Sequence, residues 1–305
     1  MISTELNGSE PAALRDGGLD HVRVRLDLAY DGTDFVGWAA QPGRRTVVGV
    51  LTSALEQVLR LDPGSIRLVV AGRTDSGVHA TGQVCHVDLP AEAWAAAPGR
   101  GSLPPAEALV RRLAGVLPVD VRVRTATVAP DGFDARFSAL RRHYAYRICD
   151  DPGGVPPLRR RDVMGHRPPG GDLLDPDLLN QAAEPLLGDH DFAAYCRPRA
   201  GATTVRTLLE YGWTRQPDGL LVARVVAEAF CHSMVRALVG AVLVVGDGRK
   251  PPSWPAELLA ARDRAGAFSV APALGLTLEQ VDYPPDADLA VRAAAARSRR
   301  SLPLV

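Results

Sequence analysis

The sequence predicts an α+β fold: two ferredoxin-like halves joined in one broad, mostly antiparallel sheet with helices on one face. Three observations carry that expectation. Alternating apolar runs mark strands, apolar residues at helical spacing mark helices, and the order of the two repeats after a joint near residues 130–139.

In the first half, HVRVRLDLAY sets Val22, Val24, Leu26, Leu28 and Tyr30 on one side and Arg23, Arg25 and Asp27 on the other, as a half-buried strand requires. Between Val47 and Leu61, the residues Val50, Leu51, Ala54, Leu55, Val58 and Leu59 recur at helical spacing. IRLVVAG and QVCHVDL follow as strands, PAEALVRRLAGVL as a second helix and VDVRVRTATV as a fourth strand. Strand, helix, strand, strand, helix, strand is the ferredoxin-like order.

The order recurs. HYAYRIC reads as a strand and LLDPDLLNQAAEPLL as a helix, and TVRTLLEYGWTRQPDGLLVARVVAEAF reads as a hairpin turning at PDG. HSMVRALVGAVLVVG is apolar enough for a buried helix, a short helix begins near Trp254, and GLTLEQVDY closes the sheet. The expected organisation is a disordered tail over 1–20, an N-terminal half over 21–130, a C-terminal half over 131–290 and a C-terminal tail over 291–305.

With 305 residues, 46% of them hydrophobic, the chain has ample material for a core. The cysteines Cys85, Cys149, Cys196 and Cys231 form no CxxC pair, so they read as buried thiols in a reducing compartment, against a disulfide framework or a cysteine-rich zinc site. The first residues lack a basic start followed by an apolar segment, and apolar windows such as SMVRALVGAVLVVG are too short for confident membrane spans. A cytoplasmic protein with no membrane partner is expected. Basic and acidic residues balance at 35 each, so net charge does not announce a nucleic-acid binder. Arginine nonetheless gathers at Arg141 and Arg142, at Arg159 to Arg161, and around Arg197 and Arg199, while lysine occurs only at Lys250. Arginine's planar fork suits phosphates and bases, although a genome biased toward arginine codons produces the same preference.

Three segments can carry chemistry. In AGRTDSGVHA, glycines flank Arg73, Thr74 and Asp75 in the connection between the second and third strands. A guanidinium beside Asp75 favours the charged carboxylate, fit for a nucleophile or electrostatic partner. The same fragment also reads as a surface Asx-turn with a neighbouring salt bridge. In RRHYAYRIC, Tyr144 and Tyr146 share one strand face, either as core or as a platform for an unstacked base. In FCHSMVR, helical spacing puts His232 and Arg236 on one face, and an arginine in so apolar a helix calls for an acid or a phosphate. Asp75 is the natural acid. His232 reads as a structural histidine or a base.

The combination YDGTDFVGW, AGRTDSGVHA, DARFSA and FCHSMVR, spread from His21 to Tyr283, closely resembles the bacterial tRNA pseudouridine synthase A (TruA) family. That resemblance implies an isomerase that converts uridine to pseudouridine at positions 38, 39 and 40 of the tRNA anticodon stem-loop, as a homodimer with no cofactor and no metal. It places the catalytic aspartate at Asp75, the aromatic residue against the target base at Tyr144, the arginine paired with the aspartate at Arg236, and a further site arginine at Arg73. The chain departs from the family's usual amides at Ala39, Val48 and Ala114, which bears on substrate affinity or breadth.

Two other classes fit parts of the sequence. His79, Cys85, His86 and Asp88 suggest a metal-dependent hydrolase, but in a strand Cys85 points away from His86 and Asp88. A non-catalytic RNA-binding module would use the same sheet and arginines, and would not need Asp75.

Overall fold

The computed structural model describes residues 21–197, 203–263 and 268–301. The segment expected as an N-terminal disordered tail lies outside these residues, as does Arg199.

In chain order the regular elements are β1 (His21–Tyr30), α1 (Val47–Leu59), β2 (Leu68–Val70), β3 (His79–Pro90), α2 (Ala91–Ala95), α3 (Pro105–Val116) and β4 (Val121–Val128). There follow β5 (Arg141–Cys149), β6 (Met164–Gly165), α4 (Pro176–Ala183), β7 (Gly188–Asp191), β8 (Val205–Arg215), β9 (Leu221–Ala227), α5 (Met234–Gly246), α6 (Trp254–Ala261), β10 (Leu276–Asp282) and α7 (Leu289–Ser301). The strands form one mixed, mostly antiparallel sheet in the order β4, β1, β3, β10, β5, β9, β8, β7, with β2 added to β3 and β6 to β5. Helices cover one face.

Local rules account for the individual elements. In β1 the alternation buries Val24, Leu26, Leu28 and Tyr30 while leaving the intervening residues half-exposed. Helix α1 starts where the Thr46 side chain accepts the Gly49 N–H and ends where Arg60 turns left-handed. Its buried face is Val47, Leu51, Ala54, Leu55, Val58 and Leu59; Val50 is half-exposed. Helix α5 is buried almost all round, as its composition demands. No helix among the described residues is long and apolar enough to cross a membrane.

Strand β10, expected to close the sheet, does so from within it. It sits at the centre, parallel to β3 and antiparallel to β5, with Leu278 opposite both Ala80 and Tyr144. Three consecutive buried residues, Leu276 to Leu278, agree with this, because a strand paired along both edges is better hidden than one at a margin. The C-terminal stretch expected as a tail from 291 is instead most of α7. This helix is anchored by Ser138 Oγ–H donating to Leu289 O and by the Arg297–Asp134 ion pair.

The packing has a consequence for high pH. Burial pushes the Tyr30 phenol up to about 12 and pushes those of Tyr144, Tyr146, Tyr195, Tyr211 and Tyr283 up as well, which accounts for all six tyrosines. Above the ordinary tyrosine value of about 10 the unfolded chain releases these protons and the folded chain keeps them, so stability falls as pH rises. Phenolate absorbance is therefore expected to appear together with cooperative unfolding. Smooth titration of several tyrosines near their ordinary value in folded protein would contradict this.

Candidate active site

Asp75 lies in the tight connection between β2 and β3, and the loop after β1 is shaped to receive that connection. Trp38 N–H donates to Thr74 O at 3.1 Å, and Gly77 N–H to Phe35 O at 3.2 Å. A side chain at Gly37, which has φ +88°, would put its Cβ 2.9 Å from Thr74 O. At Gly32 a Cβ would lie 2.0 Å from Val78 O. The glycines of DGTDFVGW are thus required by the approach of one backbone to another. From beneath, the Tyr30 and Thr74 hydroxyls bond at 2.8 Å, and the Gln83 amide donates to Tyr30 Oη at 3.1 Å and to Gly72 O at 2.9 Å. This buried network fixes the turn that presents Asp75.

The turn entering α5 supplies the carboxylate's neighbours. Ser233 Oγ–H donates to Asp75 Oδ2 at 2.9 Å, Arg236 Nη1 lies 3.6 Å from the same oxygen, and His232 Nε2 lies 3.3 Å from Oδ1. Arg236 is itself aimed by Nε–H donating to Ala271 O at 2.7 Å. Side-chain exposure is 24% for Asp75 and 21% for Arg236 but 46% for His232, so the site opens on the histidine's side. The helix begins at Met234, not at His232 as its periodicity suggests. His232 and Arg236 still reach one target, from a turn and a helix respectively. The expected clasp between Arg73 and Asp75 does not form. Thr74 points inward to Tyr30, and Arg73 is exposed with no hydrogen bond or ion pair among the described residues.

Tyr144 projects from β5, buried, with its ring edge-on to Phe230 at a centroid distance of 5.1 Å. Burial, then the nearby Tyr30 and the charge of Asp75, hold its phenol neutral well above the ordinary range. The arginines at the start of the same strand do not form the shared basic patch their clustering suggested. Arg142 is buried and donates to the carbonyls of Ala71, Arg136 and Glu228, tying the Asp75 turn to both halves of the sheet, while Arg141 pairs with Asp282. Arg159 pairs with Asp162, and Arg161 pairs with Asp31 of the loop that cradles Asp75.

Two sequence readings of reactive side chains need correction or redistribution. Cys85 and Cys149 are buried free thiols, but Cys196 and Cys231 form a disulfide, with Cα atoms 5.7 Å apart. Their separation of 35 residues carries no motif, so only the fold reveals the pair. The residues of the rival metal reading serve different partners: Asp88 pairs with Arg23, His86 Nδ1 accepts the Ala135 N–H, and His79 Nδ1 accepts the Gly32 N–H. Of the departures from the family's amides, Ala39 and Val48 lie half-buried beside Trp38, whose carbonyl accepts the Val48 N–H, and Ala114 is exposed on α3. Sequence reasoning missed Ser233 as a neighbour of Asp75. A serine immediately before an apolar helical run is a capping signal, and it reads as nothing more.

The carboxylate of Asp75 is thus partly exposed, contacted by serine, arginine and histidine side chains, and open on one side. The model of the tRNA pseudouridine synthase family matches residues 28–138 and 182–284. "tRNA pseudouridine synthase A" of Streptomyces griseus is 57% identical over 283 residues, covering 92% of this chain and 95% of that protein. The proteins of the same description from Frankia casuarinae and Mycobacterium leprae are 56% and 51% identical, each over 92% of this chain and over 97% and 96% of their own lengths. Among solved structures, a Cbf5-Nop10-Gar1 complex aligns at a TM-score of 0.31 and 12% identity over 72% of this chain and 44% of that chain, too little to bear on fold or function. The chain belongs to the tRNA pseudouridine synthase family, as the resemblance of its motifs implies, and its activity is that of an isomerase forming pseudouridine in tRNA.

Proposed function

We propose that the enzyme isomerises uridine at positions 38, 39 and 40 of the tRNA anticodon stem-loop, with Asp75 as the reacting carboxylate and with no cofactor or metal. The observation that carries this reading is the convergence of Ser233, Arg236 and His232 on Asp75, since nothing in a surface turn calls for three such neighbours. In the same reading the chain divides at residues 130 and 131 into two ferredoxin-like halves. The protein works as a cytoplasmic homodimer.

The reaction breaks the bond between uracil N1 and ribose C1′, turns the base, and makes a bond from C5 to C1′; N1 gains a proton and C5 loses one. Asp75 either attacks C1′, leaving again as C5 takes its place, or removes the C2′ proton to give a glycal and returns it to C2′ as the C5–C1′ bond forms; both routes use a carboxylate, which Arg236 faces at 3.6 Å. Reaching the base requires flipping it from the stem-loop stack, at a cost of a few kcal/mol. Tyr144 offers the ring on which the loose base rests. Because its phenol is neutral, its hydroxyl assists loss of the C5 proton by relaying it rather than as a phenolate base. Arg73, exposed and unpaired among the described residues and two residues from Asp75, is placed to meet the RNA there.

The test is incubation of purified protein with unmodified tRNA transcripts and mapping of pseudouridine by position. Product at 38, 39 and 40 is expected, and product confined to other positions rejects the assignment. Tyr144→Phe keeps the ring and removes the hydroxyl, so tRNA affinity is expected to hold while single-turnover product formation slows roughly a hundredfold. An unchanged rate excludes the proton-relay role.

A further inference from the structure

We infer that Ser233 is a positioning residue that sets the orientation of the Asp75 carboxylate and leaves Oδ1 as the oxygen that meets substrate. The inference rests on the proposed role of Asp75. Ser233 occupies the residue before α5, where a serine ordinarily adopts an extended conformation and turns its oxygen back to cap the helix. Here it does neither. Its backbone is left-handed, with φ 61° and ψ 12°, and its side chain makes no cap hydrogen bond.

Among the described residues two other non-glycine residues have positive φ, Arg60 and Arg262, and both sit at the ends of α1 and α6, where a left-handed residue terminates the helix. Ser233 stands at a helix start, so termination does not explain its conformation. A strained backbone persists only where its surroundings hold it. The neighbouring segment does so: Met234 N–H donates to Cys231 O at 3.1 Å and closes a turn around Ser233, Cys231 is bonded to Cys196, and His232 O accepts the Arg197 N–H at 3.1 Å.

In that conformation the hydroxyl reaches Asp75 instead of the helix start. Of the three groups around the carboxylate, Ser233 makes the short hydrogen bond, at 2.9 Å to Oδ2; Arg236 at 3.6 Å from Oδ2 acts through charge, and the exposed His232 stands 3.3 Å from Oδ1, where substrate must displace it. With Oδ2 engaged on the α5 side, rotation of the carboxylate is arrested. Oδ1 then faces the side of the exposed His232, where the RNA has room to enter.

The experiment separates the hydroxyl from the backbone it sits on. Ser233→Gly removes the hydroxyl but relieves the left-handed strain, so its melting temperature is expected to equal or exceed that of wild type. Its single-turnover rate at saturating tRNA is expected to fall roughly ten- to hundredfold, as for loss of a hydrogen bond to a charged group, with tRNA affinity unchanged. Ser233→Asn, which tolerates the left-handed region and carries an amide donor, is expected to run faster than the glycine variant. Asp75→Asn is measured in parallel. If it turns over at the wild-type rate, the role of Asp75 itself fails and this inference with it. If it is inactive while Ser233→Gly retains the wild-type rate, only the positioning role is overturned.

Discussion

Asp75→Asn is expected to bring pseudouridine formation down by roughly ten-thousandfold or more while leaving tRNA binding close to wild type. The amide is isosteric, so the turn pinned by Tyr30, Thr74 and Gln83 keeps its shape. What disappears is the charge and nucleophilicity that either proposed route requires. Binding survives because contacts to the phosphate backbone dominate affinity for RNA, and an anionic carboxylate is no partner for a phosphate. Single-turnover assays with position-mapped product, beside a filter-binding titration, measure both quantities. A folded variant that forms product at the wild-type rate would remove Asp75 from the chemistry.

Arg236 is expected to show the second-largest effect. Arg236→Ala strips Asp75 of its nearest guanidinium and leaves the Ala271 carbonyl without its donor, so single-turnover rates fall roughly ten- to hundredfold. Arg236→Lys keeps a positive charge. It lacks the planar fork that lets Nε–H bond Ala271 while Nη1 faces Asp75, so it is expected to recover part of the loss and no more. Full activity of a folded Arg236→Lys shows that charge alone suffices. Full activity of a folded Arg236→Ala shows that the two residues are not coupled.

The fold was legible in the sequence where a segment's burial follows from its own period. The alternation of β1, the apolar stripe of α1 and the hairpin of β8 and β9 around PDG are all properties of neighbouring residues, and each element stands where its pattern put it. Helix α7 was not legible, because LAVRAAAARSRRS is weakly apolar and is held by Arg297 on Asp134 and by Ser138 on its first carbonyl. Arg141 and Arg142 show the same limit. As a pair they suggest a basic patch, yet one is an ion-pair partner of Asp282 and the other a buried donor to three carbonyls. Composition cannot distinguish an arginine that meets phosphate from one that satisfies backbone.

Apart from β6, β7, α2 and α7, the sequence by itself determined the strands, the helices and the family. Those depend on spacing within a segment or on a motif whose members are contiguous. Tertiary structure alone decided that β10 lies at the centre of the sheet, that Cys196 meets Cys231, that Arg73 makes no ion pair with Asp75, and that Ser233 bonds it. The physical reason is distance along the chain. Ser233 is 158 residues from Asp75, and no periodicity spans that gap; only the packing of α5 beneath the sheet, with the backbone strain it holds at Ser233, brings the hydroxyl to the carboxylate.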